Sequence, residues 1–347
     1  MAQFKLPTAN DNVLVVAEIG NNHDGSKDKA KLLIDIAADA GVDAVKFQTF
    51  RGLDIVSPLV TPSDYPQWQV GDFAYWHEFL DSIALPLEDH SEVFEYAISR
   101  GLHVFSTPTS PAIVDFLETI NVPAYKIASM DVTNIPLLRK VAATGKPVIV
   151  STGMANDFEI ARLMDIFTLN QVALLHCISD YPLDPSNANL FSIQHLQNTY
   201  PNSQVVGFSD HSLDAELSCL AVALGAKIIE KHITYDRSSP TPAEHHFSLD
   251  PIMLKKFVAS IRTTESSLGT IGLNRSQGEK TNRLKYRRSI HINKTLDVGH
   301  VIKSDDIEIV RPGDGAGPEC VDDIVGSTLV NKKFAWDPLD ENDLLKR

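Results

Sequence analysis

Short apolar runs alternate along this chain with stretches whose apolar positions recur at helical spacing. The runs are VLVVA (13–17), DAVKFQ (43–48), HVFSTP (103–108), AYKIAS (124–129), PVIVSTG (147–153), VALLHCIS (172–179), QVVGFSDH (204–211) and AKIIEKHIT (226–234). Between them lie DKAKLLIDIAADAG, SEVFEYAISRG, PAIVDFLETI, IPLLRKVAATG, FEIARLMDIF, SIQHLQNTY and LDAELSCLAVALGA, several closed by a glycine at a C-cap position. A further helical stretch, PIMLKKFVASIRTTESSLG, follows the last run. Eight strand–helix units predict an α/β fold, a parallel (β/α)8 TIM barrel, in preference to an open doubly wound sheet, because no glycine-rich dinucleotide turn is present.

Beyond residue 268 the texture changes. The stretch 269–284 is polar and reads as a linker, and 285–347 carries the short β-like runs RSIHINK, HVIKSDDIEIV and TLVNKKFAW. About 60 residues suffice for a small β-rich module, especially one docked on a partner. The barrel is therefore expected over 1–268, with the small domain at 285–347. The longest segment expected to be irregular, RGLDIVSPLVTPSDYPQWQVGDFAYWHEFL, lies between the second and third runs. Such loops often close over substrates, although packing of the aromatic stretch 65–80 beneath the barrel mouth is the commoner outcome.

Composition narrows the class of partner. A chain with 43% hydrophobic and 22% charged residues is an ordinary globular protein. Its net charge of −14 argues against sequence-independent binding of nucleic acid or of an anionic membrane surface. A small anionic substrate then requires lysines that build a positive pocket against the overall field. Cys177, Cys219 and Cys320 are odd in number and lack metal-type spacing, which suits a reducing compartment. MAQFKLPTANDNV has neither a basic n-region nor an apolar h-region, and no window approaches the roughly 18 apolar residues of a membrane span, so a cytoplasmic location is expected.

In a barrel of this kind, chemistry sits at the C-terminal ends of the strands. The polar residues finishing the runs are Glu18; Lys46 and Gln48; Ser106 and Thr107; Lys126 and Ser129; Ser151 and Thr152; Ser179 and Tyr181; Ser209 and His211; and His232. Side chains alternate along a strand, so Lys46 shares a face with Gln48, Ser209 with His211, and Glu230 with His232. A lone strand histidine is usually structural, but His211 and His232 end adjacent strands and face each other within metal-ligand reach. Neutral imidazoles suit a divalent ion such as Mn²⁺, Zn²⁺ or Fe²⁺, and only two protein ligands leave positions for water and substrate. Lysines with serine hydroxyls suit a phosphate or carboxylate. The same set could serve a Schiff-base aldolase through Lys46 or Lys126. Lys231 alternates outward and reads as a barrel–helix contact, while Glu230 is expected to orient a ligand or pair with a lysine.

The motifs EIGNNHDG, VDAVKFQTF, PAYKIAS, PVIVSTGMA, LLHCISDYP, VGFSDHS and IIEKHIT, followed by FSLDP, resemble the sialic acid synthase family, which condenses phosphoenolpyruvate with an N-acylated amino sugar aldehyde. The tail, RRSIHI with LDVGHVIKSDDIEIVRPGDG, resembles the antifreeze-like (SAF) domain that follows the barrel in that family. The resemblance implies that His211 and His232 bind Mn²⁺ or Mg²⁺, and that Lys46, Lys126, Ser129, Ser151 and Ser209, with Thr107 nearby, hold phosphoenolpyruvate. Glu18 becomes the acid/base group, and Gln48, Asp131, Tyr181 and Glu244 fall where the family meets the sugar, Asp131 as a second catalytic candidate. Arg311 takes the place of an arginine that reaches into the partner's barrel in a domain-swapped homodimer. Three departures, Ser129-Met130-Asp131, Ser179-Asp180-Tyr181 and Pro242-Ala243-Glu244, all lie on the sugar side. They leave the acceptor open, a related 3-deoxy-keto-acid synthase, a metal-dependent aldolase or a non-catalytic carbohydrate-binding member being the other readings.

Overall fold

The structure is a computed structural model describing residues 4–65, 70, 72–241 and 243–345. The chain divides into two compact units, Met1–Gly269 and Thr270–Arg347. In the first, eight strands close into a parallel barrel in chain order: β1 (Leu14–Gly20), β2 (Ala44–Thr49), β3 (His103–Pro108), β4 (Tyr125–Ile127), β5 (Val148–Ser151), β6 (Val172–Cys177), β7 (Val205–Asp210) and β8 (Ile228–His232). Helices Lys27–Ala40, His90–Ser99, Pro111–Thr119, Ile135–Ala142, Asp157–Ile166, Ser192–Thr199, Glu216–Ala223 and Pro251–Leu268 follow the strands in turn. Several starts are fixed by capping: Ser26, Ser110, Asn134 and Asn156 each accept a backbone N–H of their own first turn. Asp250 of FSLDP does the same for Ile252 and Met253, with Pro251 at the first helical position.

Alternation along each strand decides what the barrel holds. Outward positions such as Val15, Ala17, Val45, Phe47, Tyr125, Val150, Phe208 and Ile229 form the shell packed against the helices. Inward positions in the lower barrel are also apolar, among them Val16, Ala44, Phe105, Ala124, Ile149, Leu175 and Ile228. Phe4 and Leu6 join this layer from the N-terminal arm, with the Phe4 ring 5.0 Å from His103 at the start of β3. Two residues further along each strand the inward side chain turns polar: Glu18, Lys46, Thr107, Lys126, Ser151, Cys177 and Glu230. The barrel is thus dry at the N-terminal ends of its strands and polar at their C-terminal ends. On β7 the lower inward residue is Gly207, where a β-carbon would fall 2.3 Å from the Ile228 carbonyl oxygen and 2.6 Å from Leu175 Cδ2. Only glycine allows that approach.

The segment between β2 and β3 is more ordered than its composition suggests. It contains the helix Trp76–Ile83, whose Trp76, Phe79, Leu80 and Ile83 cluster with Phe50 and Val70 in a small core of their own. Tyr65 joins through Trp76, with ring centroids 4.7 Å apart. Residues 66–69 and 71 of that aromatic stretch lie outside the described residues.

The second unit begins with a helix, Gln277–Tyr286, in the stretch expected as a linker. Two antiparallel two-stranded sheets follow, β9 (Ser289–Ile292) with β10 (Ile307–Val310) and β11 (Thr328–Leu329) with β12 (Leu344–Leu345). Its core is Ile290, Ile292, Leu296, Ile302, Ile324, Leu329 and Leu339. Among the described residues no helix is long and apolar enough to cross a membrane.

Candidate active site

The polar upper layer opens into a cavity of about 380 Å³ at the C-terminal ends of the strands. Its floor carries four buried ionisable side chains, Glu18, Lys46, Lys126 and Glu230. Lys46 Nζ lies 2.9 Å from Glu18 Oε2, 3.9 Å from Glu230 Oε2, and donates to Thr107 Oγ1 at 3.1 Å. Lys126 Nζ donates to Ser151 Oγ at 2.6 Å and stands 3.8 Å from Glu230 Oε1, which also accepts from Ser209 Oγ at 2.9 Å. Gln48 donates from Nε2 to Glu18 Oε1 at 3.0 Å and accepts at Oε1 from Asn21 Nδ2 at 3.2 Å. Strand register produces this cluster, since Glu18 is flanked by Lys46 on β2 and His232 on β8, and Ser209 lies opposite Glu230.

The two carboxyls are driven apart. Burial raises the Glu18 pKa, and the neighbouring charge of Glu230 adds to it against the pull of Lys46. For Glu230 burial acts the same way but is outweighed by Lys126, Lys46 and the Ser209 hydroxyl, which bring it down to about 2. Burial also works against the charge on Lys46, yet Glu18 and Glu230 hold its pKa above the ordinary lysine value, whereas burial leaves Lys126 below it. Two buried lysines thus face one carboxyl that they hold ionised, Glu230, and a second, Glu18, that burial makes reluctant to ionise, inside an acidic protein. Such a floor suits a small anion, and two carboxyls whose pKa values are pushed in opposite directions are the pattern of acid–base chemistry.

The histidines stand at the C-terminal ends of β7 and β8, beyond Ser209 and Glu230. His211 Nδ1 lies 2.8 Å from the Ile178 carbonyl oxygen, which can only accept, so Nδ1 carries the hydrogen and Nε2 presents a bare lone pair. Burial, with the charge of His232, lowers the His211 pKa to about 4 and keeps the ring neutral. His232 Nδ1 sits 2.9 Å from Glu244 Oε2; burial opposes its charge, but Glu244 and Glu18 hold its pKa above the ordinary value. The two rings are 5.3 Å apart, and Tyr181 lies 4.1 Å from His211 between centroids. Among the described residues no three His, Cys, Asp or Glu side chains are arranged as a metal cage. Two imidazoles, one with its lone pair fixed by a backbone carbonyl, are nevertheless a donor set that fits a divalent cation whose other positions are left to water and substrate.

Of the residues singled out in the sequence, Glu18, Lys46, Gln48, Thr107, Lys126, Ser129, Ser151, Tyr181, Ser209, His211, His232 and Glu244 all line this cavity. Asp131 does not: it is buried in the turn after β4, where Oδ1 accepts from Asn134 Nδ2 at 2.9 Å and burial raises the carboxyl pKa. Arg311 belongs to the second unit, its guanidinium 5.5 Å from the centre of the Tyr286 ring. Pro242 lies outside the described residues. Lys231 points out of the barrel, 3.0 Å from Asp210 Oδ2 and 5.8 Å from the Phe257 ring centre. His245 is buried between Thr234 Oγ1 at 2.6 Å and Asp24 Oδ1 at 3.0 Å.

The cavity also takes in residues that the strand-end rule did not single out: Thr109, Met130, Met154 and Cys177. Cys177 follows Leu175 by two on β6, so inward alternation alone would have found it. Met154 sits beyond the strand in a left-handed turn at φ +63°, where periodicity says nothing. Gly153 beside it leaves room for two hydroxyls: a β-carbon there would lie 2.6 Å from Ser179 Oγ and 2.9 Å from Ser129 Oγ.

Comparison with known proteins yields consistent matches. The model of the NeuB family matches residues 33–272 and that of the SAF domain matches residues 287–345. The N,N'-diacetyllegionaminic acid synthase of Legionella pneumophila is 37% identical over 91% of this chain and 90% of its own length. The spore coat polysaccharide biosynthesis protein SpsE of Bacillus subtilis is 35% identical over 87% of this chain and 84% of its own. Among solved structures, the N-acetylneuraminic acid synthetase of Leptospira borgpetersenii, in complex with citrate, superposes with a TM-score of 0.71 at 31% identity, covering 81% of this chain and 93% of that one.

Proposed function

The chain belongs to the NeuB family, and from that premise we propose that it is a synthase condensing phosphoenolpyruvate with an N-acylated amino sugar aldehyde to give a nonulosonic acid and phosphate. The observation that carries the reading is the juxtaposition, in one cavity, of a buried Lys46–Lys126 pair with hydroxyl donors and a facing His211–His232 pair. The naming of relatives as legionaminic acid and pseudaminic acid synthases supports the same class, and that of SpsE a place in surface polysaccharide synthesis. Three unpaired cysteines agree with a reducing compartment, and we place the protein in the cytoplasm.

In this reading Lys46 and Lys126 neutralise the phosphate and carboxylate of phosphoenolpyruvate, with Thr107, Ser129, Ser151 and Ser209 fixing its orientation; one well-placed donor of this kind is typically worth about 3 kcal/mol. His211 and His232 hold a divalent cation, Mn²⁺ or Mg²⁺, which when bound supplies Lewis-acid polarisation of the acceptor's carbonyl oxygen. Gln48, Tyr181 and Glu244 meet the acceptor. C3 of phosphoenolpyruvate forms the new bond to the aldehyde carbon, whose oxygen takes a proton from Glu18, whose pKa burial raises. The resulting Glu18 carboxylate then accepts a proton from the water that adds at C2, and the C2–O bond to phosphate breaks as the new C2 hydroxyl becomes the keto carbonyl, its proton leaving with the phosphate. Arg311, on the second unit, completes the sugar site of a partner barrel in a swapped homodimer.

The test is a set of amino sugars incubated with phosphoenolpyruvate carrying ¹⁸O in the bridging position. Label leaving in inorganic phosphate, with a product of the combined mass, supports the proposal. Label retained in the keto acid, or no phosphate release with any acceptor, would rule it out.

A further inference from the structure

The second unit contains one small motif twice, and the copies part company at a turn. In the first copy Gly299 N–H donates to the Leu329 carbonyl at 2.8 Å, His300 N–H to the Asp297 carbonyl at 3.2 Å, and Lys303 N–H to Asp306 Oδ2 at 2.9 Å. In the second, Trp336 N–H donates to the Ile292 carbonyl at 2.6 Å, Asp337 N–H to the Phe334 carbonyl at 3.0 Å, and Asp340 N–H to Asp343 Oδ2 at 3.1 Å. Leu296 and Lys333, which lead into the two turns, pair with each other in an antiparallel bridge. Trp336 therefore stands where the first copy has Gly299, and Phe334 where it has Asp297.

Both turns place this residue in the left-handed region, at φ +85° for Gly299 and +72° for Trp336. Glycine adopts that conformation freely, whereas a β-carbon makes it cost about 1–2 kcal/mol. The strain brings the fold nothing in return, because Trp336 and Phe334 are each 60% exposed and neither belongs to the unit's core. The turn is nonetheless fixed. Buried His291 donates from Nδ1 to the Trp336 carbonyl at 3.0 Å, and Phe334 N–H donates to Asp337 Oδ2 at 2.7 Å. Lys332 Nζ stands 5.9 Å from the centre of the Phe334 ring and 2.7 Å from Asp297 Oδ1, so hydrogen-bonding charges border the aromatic pair.

Two exposed rings on a fixed turn, edged by a lysine and a carboxylate, match the chemistry of a sugar. A pyranose offers a face of C–H groups that packs on the electron-rich face of an aromatic ring, and a rim of hydroxyls that hydrogen-bonds to charged side chains. A protein partner fits less well, since the core of such an interface is depleted of charge. We propose that Phe334 and Trp336 form a carbohydrate-binding platform, built wholly by the second unit, that takes the pyranose rings of N-acylated amino sugars, free or within a glycan. The acyl methyl group packs on the indole beside the ring. The N-acylated class rests on the condensation reading above; the platform itself does not.

The experiment titrates the full-length protein with N-acetylglucosamine and with its β-1,4-linked trimer, read by saturation-transfer NMR and by tryptophan fluorescence. Saturable binding is expected. A trimer that binds about tenfold tighter than the monosaccharide identifies a glycan as the ligand, because one chain then engages both rings, and equal affinities identify a free sugar. Phe334→Ala is expected to weaken binding by about tenfold, the range of one aromatic contact. Trp336→Gly, which installs the residue of the equivalent turn, should weaken it as much while leaving the melting temperature unchanged or higher, because glycine relieves the left-handed strain. No saturable binding of either sugar by the wild type overturns the platform, as does binding that survives intact in both variants. A wild type that binds no sugar and a Trp336→Gly variant that dissociates in the ultracentrifuge would assign the rings to a protein interface instead. Absence of phosphate release with every acceptor would sink the condensation reading and leave the binding result standing.

Discussion

Glu18 Oε2 lies 2.9 Å from Lys46 Nζ, and the two residues are register partners across β1 and β2. Each stands two positions beyond an apolar inward residue, Val16 and Ala44, at the step where the barrel interior turns from dry to polar. Burial makes the carboxyl reluctant to ionise even beside a lysine. Glu18→Gln keeps the shape of the side chain next to Gln48 but cannot give or take a proton. It is expected to lower kcat by about 10²–10⁴-fold, the span of general acid–base catalysis, with KM for phosphoenolpyruvate little changed. Stopped-time phosphate assays at saturating acceptor measure this, and a loss confined to KM would show that Glu18 only binds.

How much of this was legible in the sequence follows from what alternation can and cannot report. Strand-end residues such as Lys126, Ser151 and His232 could be placed because a parallel strand fixes a side chain's face once its register is known. The same rule could not place Asp131, which lies past the end of β4 in a turn whose geometry sends its carboxyl to Asn134. It also missed Met154, whose position depends on a left-handed turn. The helix Trp76–Ile83 was hidden for another reason: its apolar face serves a local cluster with Phe50 and Val70, and the proline-rich flanks read as loop.

The proposed cation site can be tested without relying on turnover alone. His211 Nε2 presents a lone pair because the Ile178 carbonyl holds the hydrogen on Nδ1. Chelation is expected to abolish phosphate release and added Mn²⁺ to restore it. Mn²⁺ should also raise the melting temperature of the chelator-treated protein by a few degrees, since a ligand at 100 times its Kd stabilises by about 2.7 kcal/mol. His211→Ala and His232→Ala should each remove that shift. Full activity after exhaustive chelation would sink the metal assignment.

Arg311 gives a prediction about assembly. If it acts in the partner's barrel, Glu18→Gln and Arg311→Ala chains are each inactive alone, but a mixed dimer contains one barrel with both groups intact. Random pairing makes half the dimers mixed, each with one working site of two, so about a quarter of wild-type activity should return on co-expression. An arginine acting on its own barrel would restore nothing. The quantity to measure is kcat per total protein, with subunit mixing verified by differently tagged chains.

Asp24 yields a pH-dependent stability. It sits in the loop after β1 and accepts from Lys29 Nζ at 2.7 Å, Tyr235 OH at 2.6 Å and His245 Nε2 at 3.0 Å, tying that loop to the one after β8 that carries Glu244. Burial would raise its pKa, but the hydrogen bonds from His245, Lys29 and Tyr235 outweigh it and hold the carboxyl well below its ordinary value of 3.8. The folded state therefore binds fewer protons than the unfolded state at acid pH. The stabilisation is complete above the unfolded value of about 3.9, and is lost as pH falls from there through the depressed folded value. Asp24→Asn is expected to lower stability by about 1–3 kcal/mol at pH 7, the usual worth of hydrogen bonds to a charged group. In urea titrations the gap between wild type and variant should stay constant from pH 7 to about 5 and narrow progressively below about 4. A gap that widened toward acid pH would mean that Asp24 is not held ionised by this network.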